Sequence, residues 1–536
     1  MAPGASSPTT SAASAPVDPA LDDRASVDDP GAPPGGTGPG GPWPRRTWAV
    51  VLGVCTVAAI AALAVPVSLA YDPWAWLVWG REVVHLDLDT TGGPSWKPLP
   101  LLVATPVTLA GDLAPELWLV LARVGSLLAL VGVFRLAARL AAPGPGPGPD
   151  REGGTGTGRR PGVVAGLLAA GLFVLTPDGG PRYTRLLLEG HSAPVTAALA
   201  VWSIERHLAG RHGTAVGLLA LLALDRPEAW PFLGLYALWL GRREPERRLL
   251  LAALLVAVPV LWFGGDWWGS GSPLHGADTA QVYADDPDRL GKALGNVRNL
   301  VILPVWVLAL AGAAVARRRG RHRDRRRRDV AALVALAAAW LALVVGMSAA
   351  LGYAAIPRFM LPSAALLCVA AAVAAAALAR AVPTDRRAVG VALGLAVSLP
   401  FVVSRASAFG ALLTDVTDRG RAGEDLVAAV RQAGGLDRLV ACPGPLRMSG
   451  TTLPRPALAW EAGVPLHDVV ALGRRPAGVV LATAGSRADE RLAAQVEAGG
   501  TDDDGGGTGA DDRPVLLARH GGWAVYAVGC PAPAGP

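Results

Sequence analysis

Lysine is almost missing from this chain. Lys97 and Lys292 are the only two among its 49 basic residues, and the rest are arginine. Cysteine is scarce as well, at four in 536 residues. That is too few for a disulfide framework, and no Cys or His spacing suits a metal site. Charged residues make up only 17% of the chain, against 51% hydrophobic, with mean hydropathy +0.37. This composition is too apolar for a soluble multidomain protein and carries too little charge for a disordered one. What is present instead is a series of apolar runs near the roughly 20 residues that cross a bilayer. The chain therefore reads as an all-α polytopic membrane protein.

Residues 1–44, rich in Pro, Gly, Ala, Ser and Asp, cannot bury a core and are expected to be a disordered cytoplasmic tail. They do not form a cleavable signal, because the charged Arg45 and Arg46 follow them. About eleven spans are predicted, near 47–70, 116–141, 162–177, 192–208, 213–225, 228–241, 247–264, 296–316, 330–351, 358–380 and 387–404. Pro98–Gly111 is apolar, but it is short and broken by proline, so it is expected to be a juxtamembrane or re-entrant helix. Leaving it out of the count puts the arginine run Arg317–Arg328 on the same side as Arg45 and Arg46. The positive-inside bias makes that side cytoplasmic. The run is thus a loop between spans rather than a nucleic-acid patch, and no nucleic-acid partner is expected. The N-terminus is predicted inside and the C-terminus outside the cytoplasmic membrane, with residues 71–115 as a large outer loop.

Beyond about residue 405 the apolar runs shorten to strand length: Arg438–Cys442, Gly478–Ala482, Pro514–Ala518 and Trp523–Val528. A helical stretch, Gly423–Ala433, precedes them, and His520-Gly521-Gly522 suits a hairpin turn. Residues 405–536 are predicted to form a small extracytoplasmic α/β domain interrupted by a solvated loop at 501–512. Cys442 and Cys530 both lie in this domain and could pair there; the sequence leaves that open. Cys55 and Cys368 read as small core residues.

The densest chemistry lies in Tyr71–Pro100, where four tryptophans, four acids and Lys97 are packed between two apolar segments. Asp72 follows the first span at once. A carboxylate there suits a general base or a cation ligand, and it suits equally well an ordinary cap, since Asp before Pro often opens a helix. Asp87 and Asp89 have the period-two spacing that puts two carboxylates on one side of an extended segment. That arrangement fits a divalent cation, two sugar hydroxyls, or plain solvated loop acids. The tryptophans exceed what an interfacial belt requires, so sugar faces and isoprenoid chains are candidate partners alongside it. Lys97 could meet a phosphate or could simply snorkel. Further outer-facing candidates are Glu189 with His191, Arg226 with Asp225 and Glu228, His275, and Arg358. Together they suggest a polar cavity opening outward.

The order of these motifs resembles the GT-C membrane glycosyltransferases, especially bacterial relatives of protein mannosyltransferases and aminoarabinose transferases. Asp72 stands where that family has an Asp-Glu pair, Lys97-Pro98 where it has Lys-Pro-Pro, and Arg123-Val124-Gly125-Ser126 where it has Arg-Leu-x-Ser. The LDRPEAW turn around Arg226 is similar to its Thr-Arg-Pro-Glu turn. Gly271–His275 is similar to its Gly-x-Pro-Leu loop, and PRFMLP around Arg358 to its Arg-Tyr-x-x-Pro span start. Pro73 and Leu99 depart from the pattern. The resemblance spans roughly residues 47–404. It implies a GT-C-like fold and transfer of a sugar from a polyprenyl-phosphate donor to an extracytoplasmic acceptor. It also implies roles: Asp72 as base, Lys97 and Arg358 holding the leaving phosphate, and Glu189 orienting the acceptor or sugar. Asp87, Asp89, Arg226 and His275 are further substrate-binding candidates. No cofactor is identified, a divalent cation stays open, and oligomeric state is not legible. Two other classes remain: a transporter or flippase for a lipid-linked or small polar substrate, and a non-catalytic membrane scaffold. Ionisable residues gathered at one interface, with no evident internal repeat, favour the enzyme.

Overall fold

The structure is a computed structural model that describes residues 43–142, 160–175, 182–282, 284–318, 325–435, 442, 444–449, 454–473, 478–498 and 514–530. The N-terminal tail, the 501–512 loop and the segment Arg438–Ala441 lie outside them. The described chain is mostly helical. Six helical stretches are long and apolar enough to cross a membrane: Arg45–Ala64, Gly111–Ala141, Pro245–Ser270, Arg328–Leu351, Pro357–Ala381 and Ala388–Gln432. A seventh span results if Arg289–Arg298 and Leu303–Ala316, bent by 81°, count as one. The chain is a multi-pass membrane protein by this measure. The expected eleven included segments that are helical but shorter, such as His212–Asp225 and Trp230–Arg243 at 14 residues each.

In chain order, α1 (Arg45–Ala61) leads into α2 (Tyr71–Val84) and α3 (Pro98–Thr108). Then come α4 (Ala114–Ala141), α5 (Arg160–Val174), α6 (Arg182–Leu188), α7 (Ala193–Leu208), α8 (His212–Asp225) and α9 (Trp230–Arg243). The membrane part is completed by α10 (Arg248–Ser270), α11 (His275–Ala280), α12 (Arg289–Arg298), α13 (Leu303–Arg318), α14 (Arg325–Leu351) and α15 (Leu361–Ala381). Helix α15 is the hub. Its first half, Leu361 to Val373, is buried on all sides and, after Pro362 and Ser363, is built from Ala, Leu, Val and Cys368, so that α4, α5, α7, α13 and α14 approach it closely. The expected juxtamembrane helix is α3, opened by Pro98 at its first position after an extended Lys97.

One continuous 46-residue helix, α16 (Arg387–Gln432), contains both the last expected span and the helical stretch Gly423–Ala433. At 1.5 Å per residue it is about 69 Å long, more than twice a hydrocarbon core. The compositional change near 405 therefore falls inside a helix. The C-terminal domain adds α17 (Arg455–Glu461), α18 (Arg487–Ala498) and a five-stranded sheet in the order β2-β1-β3-β5-β4. Its strands are β1 (Leu446–Met448), β2 (Val469–Ala471), β3 (Gly478–Thr483), β4 (Pro514–His520) and β5 (Trp523–Val528). β1 pairs parallel with β2 and β3, while β5 pairs antiparallel with β3 and β4. β4 and β5 form the expected hairpin, turning at Gly521 in the left-handed region. Cys442 and Cys530 are joined by a disulfide.

The two faces of this sheet bury against different partners. Along β3, Val480 and Ala482 pack with Leu492 of α18, whereas Val479 and Leu481 join a core shared with the outer loop. Trp74, Trp76, Trp79 and Trp96 all belong to that second core and are 9% exposed or less. The loop tryptophans are therefore packing residues between α2, α3, α4 and the C-terminal domain, not an open platform for a sugar. Trp267 and Trp268, at 67% and 49% exposed, are the belt-like ones.

Candidate functional site

Asp72 lies in the first turn of α2 but does not cap it. The cap position is Ala70, and no side-chain cap hydrogen bond is made. Its carboxylate instead meets two cations, Arg358 Nη2 at 3.3 Å and Lys97 Nζ at 3.7 Å from the same oxygen, Oδ2. Both Asp72 and Lys97 are buried. Lys97 is itself the extended residue ahead of α3, and its ammonium lies 5.2 Å from the Trp76 ring. Arg358 comes from the short turn Pro357–Met360 that opens into α15.

Glu189 reaches the same place through its backbone. Arg123 Nη2 donates to the Leu188 carbonyl at 3.0 Å, Ala70 N–H to that of Glu189 at 3.0 Å, and Trp118 Nε1 to that of Gly190 at 3.0 Å. Three hydrogen bonds, two from α4 and one from the start of α2, thus pin one turn. Gly190 has φ +73°, and a Cβ there would meet Leu69, Leu119 and Trp118 at 3.0 to 3.3 Å, so the position needs glycine. The Arg123 element of the sequence motif serves this purpose: it positions a turn and does not itself line the site. The Glu189 carboxylate pairs with His191 Nε2 (3.5 Å), Arg185 (3.5 Å) and Arg419 of α16 (3.3 Å). His191 Nδ1 is 3.5 Å from Arg358 Nη1. A continuous chain of charge thus runs Glu189–His191–Arg358–Asp72–Lys97.

Arg226 borders this chain. It is buried with its guanidinium 4.0 Å from the Phe359 ring, and Tyr353, whose hydroxyl donates to Glu228 Oε1 at 2.9 Å, stands beside it. Asp225, also buried, accepts a hydrogen bond from Thr196. Burial pushes the Asp72 carboxyl up, yet Arg358, Lys97, His191 and Arg226 together outweigh it and hold it at about 2. Burial, aided by Arg226, pulls the Lys97 ammonium down to about 8. Burial also pushes His191 below its ordinary value, against the opposing hydrogen bond to Glu189.

The remaining candidates lie elsewhere. Asp89 is turned into its own loop, accepting from Thr91 N–H at 2.8 Å, and its other oxygen meets His467 Nδ1 of the C-terminal domain at 2.9 Å. Asp87 is exposed. His275, half-buried, opens α11 and shows no contact with the Asp72 chain among the described residues. Beside it the buried acid is Asp266, which accepts from Gly276 N–H at 2.8 Å. Sequence reasoning passed over Asp266, Tyr353 and Arg419. Only Asp266 carried a signal, an acid isolated in the apolar stretch of α10. Among the described residues, no group of three or more His, Cys, Asp and Glu is assembled that could hold a metal. Asp72 is also ill suited to a divalent cation, because two protein cations already occupy its oxygen.

No protein-family model matches the chain, and no curated protein matches it. Among solved structures it is similar to ArnT from Cupriavidus metallidurans. The crystal structure bound to undecaprenyl phosphate aligns at TM-score 0.43 and 14% identity, over 92% of this chain and 100% of that one. The apo crystal structure aligns at TM-score 0.41 and 15% identity, over 90% and 98%.

Proposed function

We propose that this chain is a GT-C-like membrane glycosyltransferase. It would take a sugar from a polyprenyl-phosphate donor and pass it to an extracytoplasmic acceptor at the outer face of the cytoplasmic membrane. The observation that carries the reading is the convergence of Lys97 and Arg358 on one oxygen of buried Asp72. Two cations beside one carboxylate suit a reaction that needs a base and expels a phosphate.

In this reading the donor phosphate binds at Lys97 and Arg358 and competes with Asp72 for them. That releases the carboxylate and raises its proton affinity, so donor binding prepares the base. Asp72 takes the proton of the acceptor hydroxyl as the acceptor oxygen attacks the anomeric carbon. The bond from that carbon to the phosphate oxygen breaks, and its electron pair leaves on the polyprenyl phosphate, whose added charge Lys97 and Arg358 hold. Glu189, paired with His191, orients the acceptor or sugar from the opposite end of the chain of charge. Arg226, fixed by Tyr353 and Glu228, keeps the local potential positive.

The test uses membranes or purified protein with a labelled polyprenyl-phosphate sugar. Asp72→Asn should lose roughly 100-fold or more of the transfer rate while donor binding persists. Full activity in Asp72→Asn removes it as the base. No transfer by the wild-type protein from any such donor, with tight donor binding and vectorial movement instead, would favour a flippase.

A further inference from the structure

At the opposite end of the helical bundle from Asp72 lies a feature that the transfer reaction does not use. A cavity of about 500 Å³ runs between α7, α8, α9, α14 and α15, with walls that are almost wholly apolar. Toward the Asp72 end it is sealed: Phe232 stacks on Trp340 at 5.8 Å, and Trp340 Nε1 donates to the Phe359 carbonyl at 2.9 Å. At its side stands Leu235, 68% exposed on the membrane-facing surface. At the far end the character reverses, and the cavity adjoins a polar recess of about 630 Å³ that shares His207, Leu208 and Trp239 with it.

That recess is organised around one hydroxyl. Tyr236 Oη lies 3.1 Å from His207 Nδ1 and 3.4 Å from His212 Nδ1, and Trp239 packs against both imidazoles at 5.2 and 5.1 Å. The Arg243 guanidinium sits 4.8 Å from the Trp239 ring and lines the recess. Helix α8 also begins here at His212, beside Arg243. The free N–H groups at the start of α8, the Arg243 guanidinium and the two imidazoles favour an anion. An apolar slot closed at one end, open to the bilayer at its side and basic at the other end has the polarity of an amphiphile.

We propose that this cavity binds one anionic phospholipid. One acyl chain lies between α7, α8, α9 and α14, the second leaves beside Leu235 into the bilayer, and the phosphate sits at His207, His212 and Arg243. The head group is at the end remote from Asp72, the reverse of what a polyprenyl-phosphate donor engaged at Lys97 requires, so the two sites are separate.

Native mass spectrometry of the full-length protein in mild detergent tests this, with phosphatidylglycerol and phosphatidylcholine of identical acyl chains as probes. Phosphatidylglycerol should bind as a single copy about tenfold more tightly than phosphatidylcholine. Ala215→Phe, which fills the slot, should abolish retention of that copy. Arg243→Gln, at an exposed position that leaves folding intact, should reduce the preference to about twofold. Inorganic phosphate should fail to displace the lipid at concentrations that saturate a free-phosphate site. Equal binding of the two lipids, an unchanged preference in Arg243→Gln, displacement by inorganic phosphate alone, or occupancy only by polyprenyl phosphate would each overturn the proposal. Loss of sugar transfer in Asp72→Asn bears on none of these readouts.

Discussion

Asp72 and the pair Asp87/Asp89 belong to the same outer loop, within 18 residues of one another, and began as equivalent carboxylate candidates. They end in opposite environments. Asp72 is buried, faces two cations and makes no cap; Asp87 is exposed, and Asp89 is spent on Thr91 and on His467. The difference does not come from local spacing, which looked more like a site at Asp87/Asp89. It comes from what the rest of the chain delivers. The openings of α3 and α15 bring Lys97 and Arg358 to Asp72, whereas of the other pair only Asp89 meets the C-terminal domain, through His467. An acid at a helix start near membrane depth is stabilised only with partners.

The sharpest way to break this contrast is to neutralise each acid in turn. Asp72→Asn should lower transfer by roughly two orders of magnitude or more, while Asp87→Asn and Asp89→Asn should stay within about twofold. Equal losses at the three positions, at matched expression, would erase the distinction. Next in size are the cations. Lys97→Ala and Arg358→Ala should each raise the donor KM by about ten- to a hundredfold, the usual worth of a charge-assisted contact. A fall in kcat alone would move these residues from donor binding to another role.

A smaller effect is expected where α2 meets the C-terminal domain. Arg81 donates to the carbonyls of Trp460 at 3.0 Å and Val464 at 2.9 Å. Arg81→Ala should weaken that docking by about 1–3 kcal/mol, read as faster hydrogen exchange in α17. Exchange there unaltered would mean that the shared tryptophan core alone holds the domain.

The smallest effect concerns pH. Burial raises the Glu82 carboxyl from its ordinary 4.5 to about 7, although the Asp89 N–H donates to it. A folded value above the unfolded one means the neutral acid is the form that favours folding. Its contribution is complete below about pH 4.5 and is lost as pH rises through 7. Exchange at the Asp87 and Asp89 amides should accelerate modestly between pH 6 and 8 beyond its intrinsic trend. Glu82→Gln should flatten that excess, and an unchanged profile would remove Glu82 as its source.

Much of this was legible in the chain, and the gaps have physical causes. Apolar runs and proline placement gave the helices and the short α3, because both depend on local chemistry. The short apolar runs and turn residues gave three of the strands and the hairpin. Asp72, Lys97, Glu189 and Arg358 stood out because charge at an apolar boundary is costly and therefore informative. Tyr353 and Arg419 did not, since each sits in an ordinary-looking segment and gains meaning only from a partner more than a hundred residues away. The four loop tryptophans misled for a related reason. Composition says they will be covered, but not that β3 and α17 cover them. The continuity of α16 across residue 405 was hidden because hydropathy changes there while helical geometry does not.

Helix α16 has a consequence for any attempt to change its length. Its gripped stretch is the C-terminal half, where Leu412 and Val416 pack with Leu188, and Leu426, Ala429 and Val430 enter the core shared with the C-terminal domain. Arg419 holds Glu189, Gly420 abuts the Pro66 carbonyl so closely that a side chain would collide, and the Ala422 carbonyl accepts from Trp523 Nε1 at 2.8 Å. Upstream, Val389, Leu393, Val397 and Val403 face largely outward, at 54 to 69% exposed. The helix is keyed at one end and free to slide at the other. A single residue added near 400 rotates the lipid-facing part by roughly 100° relative to the keyed part and shifts it by about 1.5 Å. The lock at Glu189 stays engaged, and the bilayer takes up the change. The same insertion at 421 puts Arg419 and Ala422, the partner of Trp523, out of phase, and the C-terminal domain is then turned away from the loop it covers.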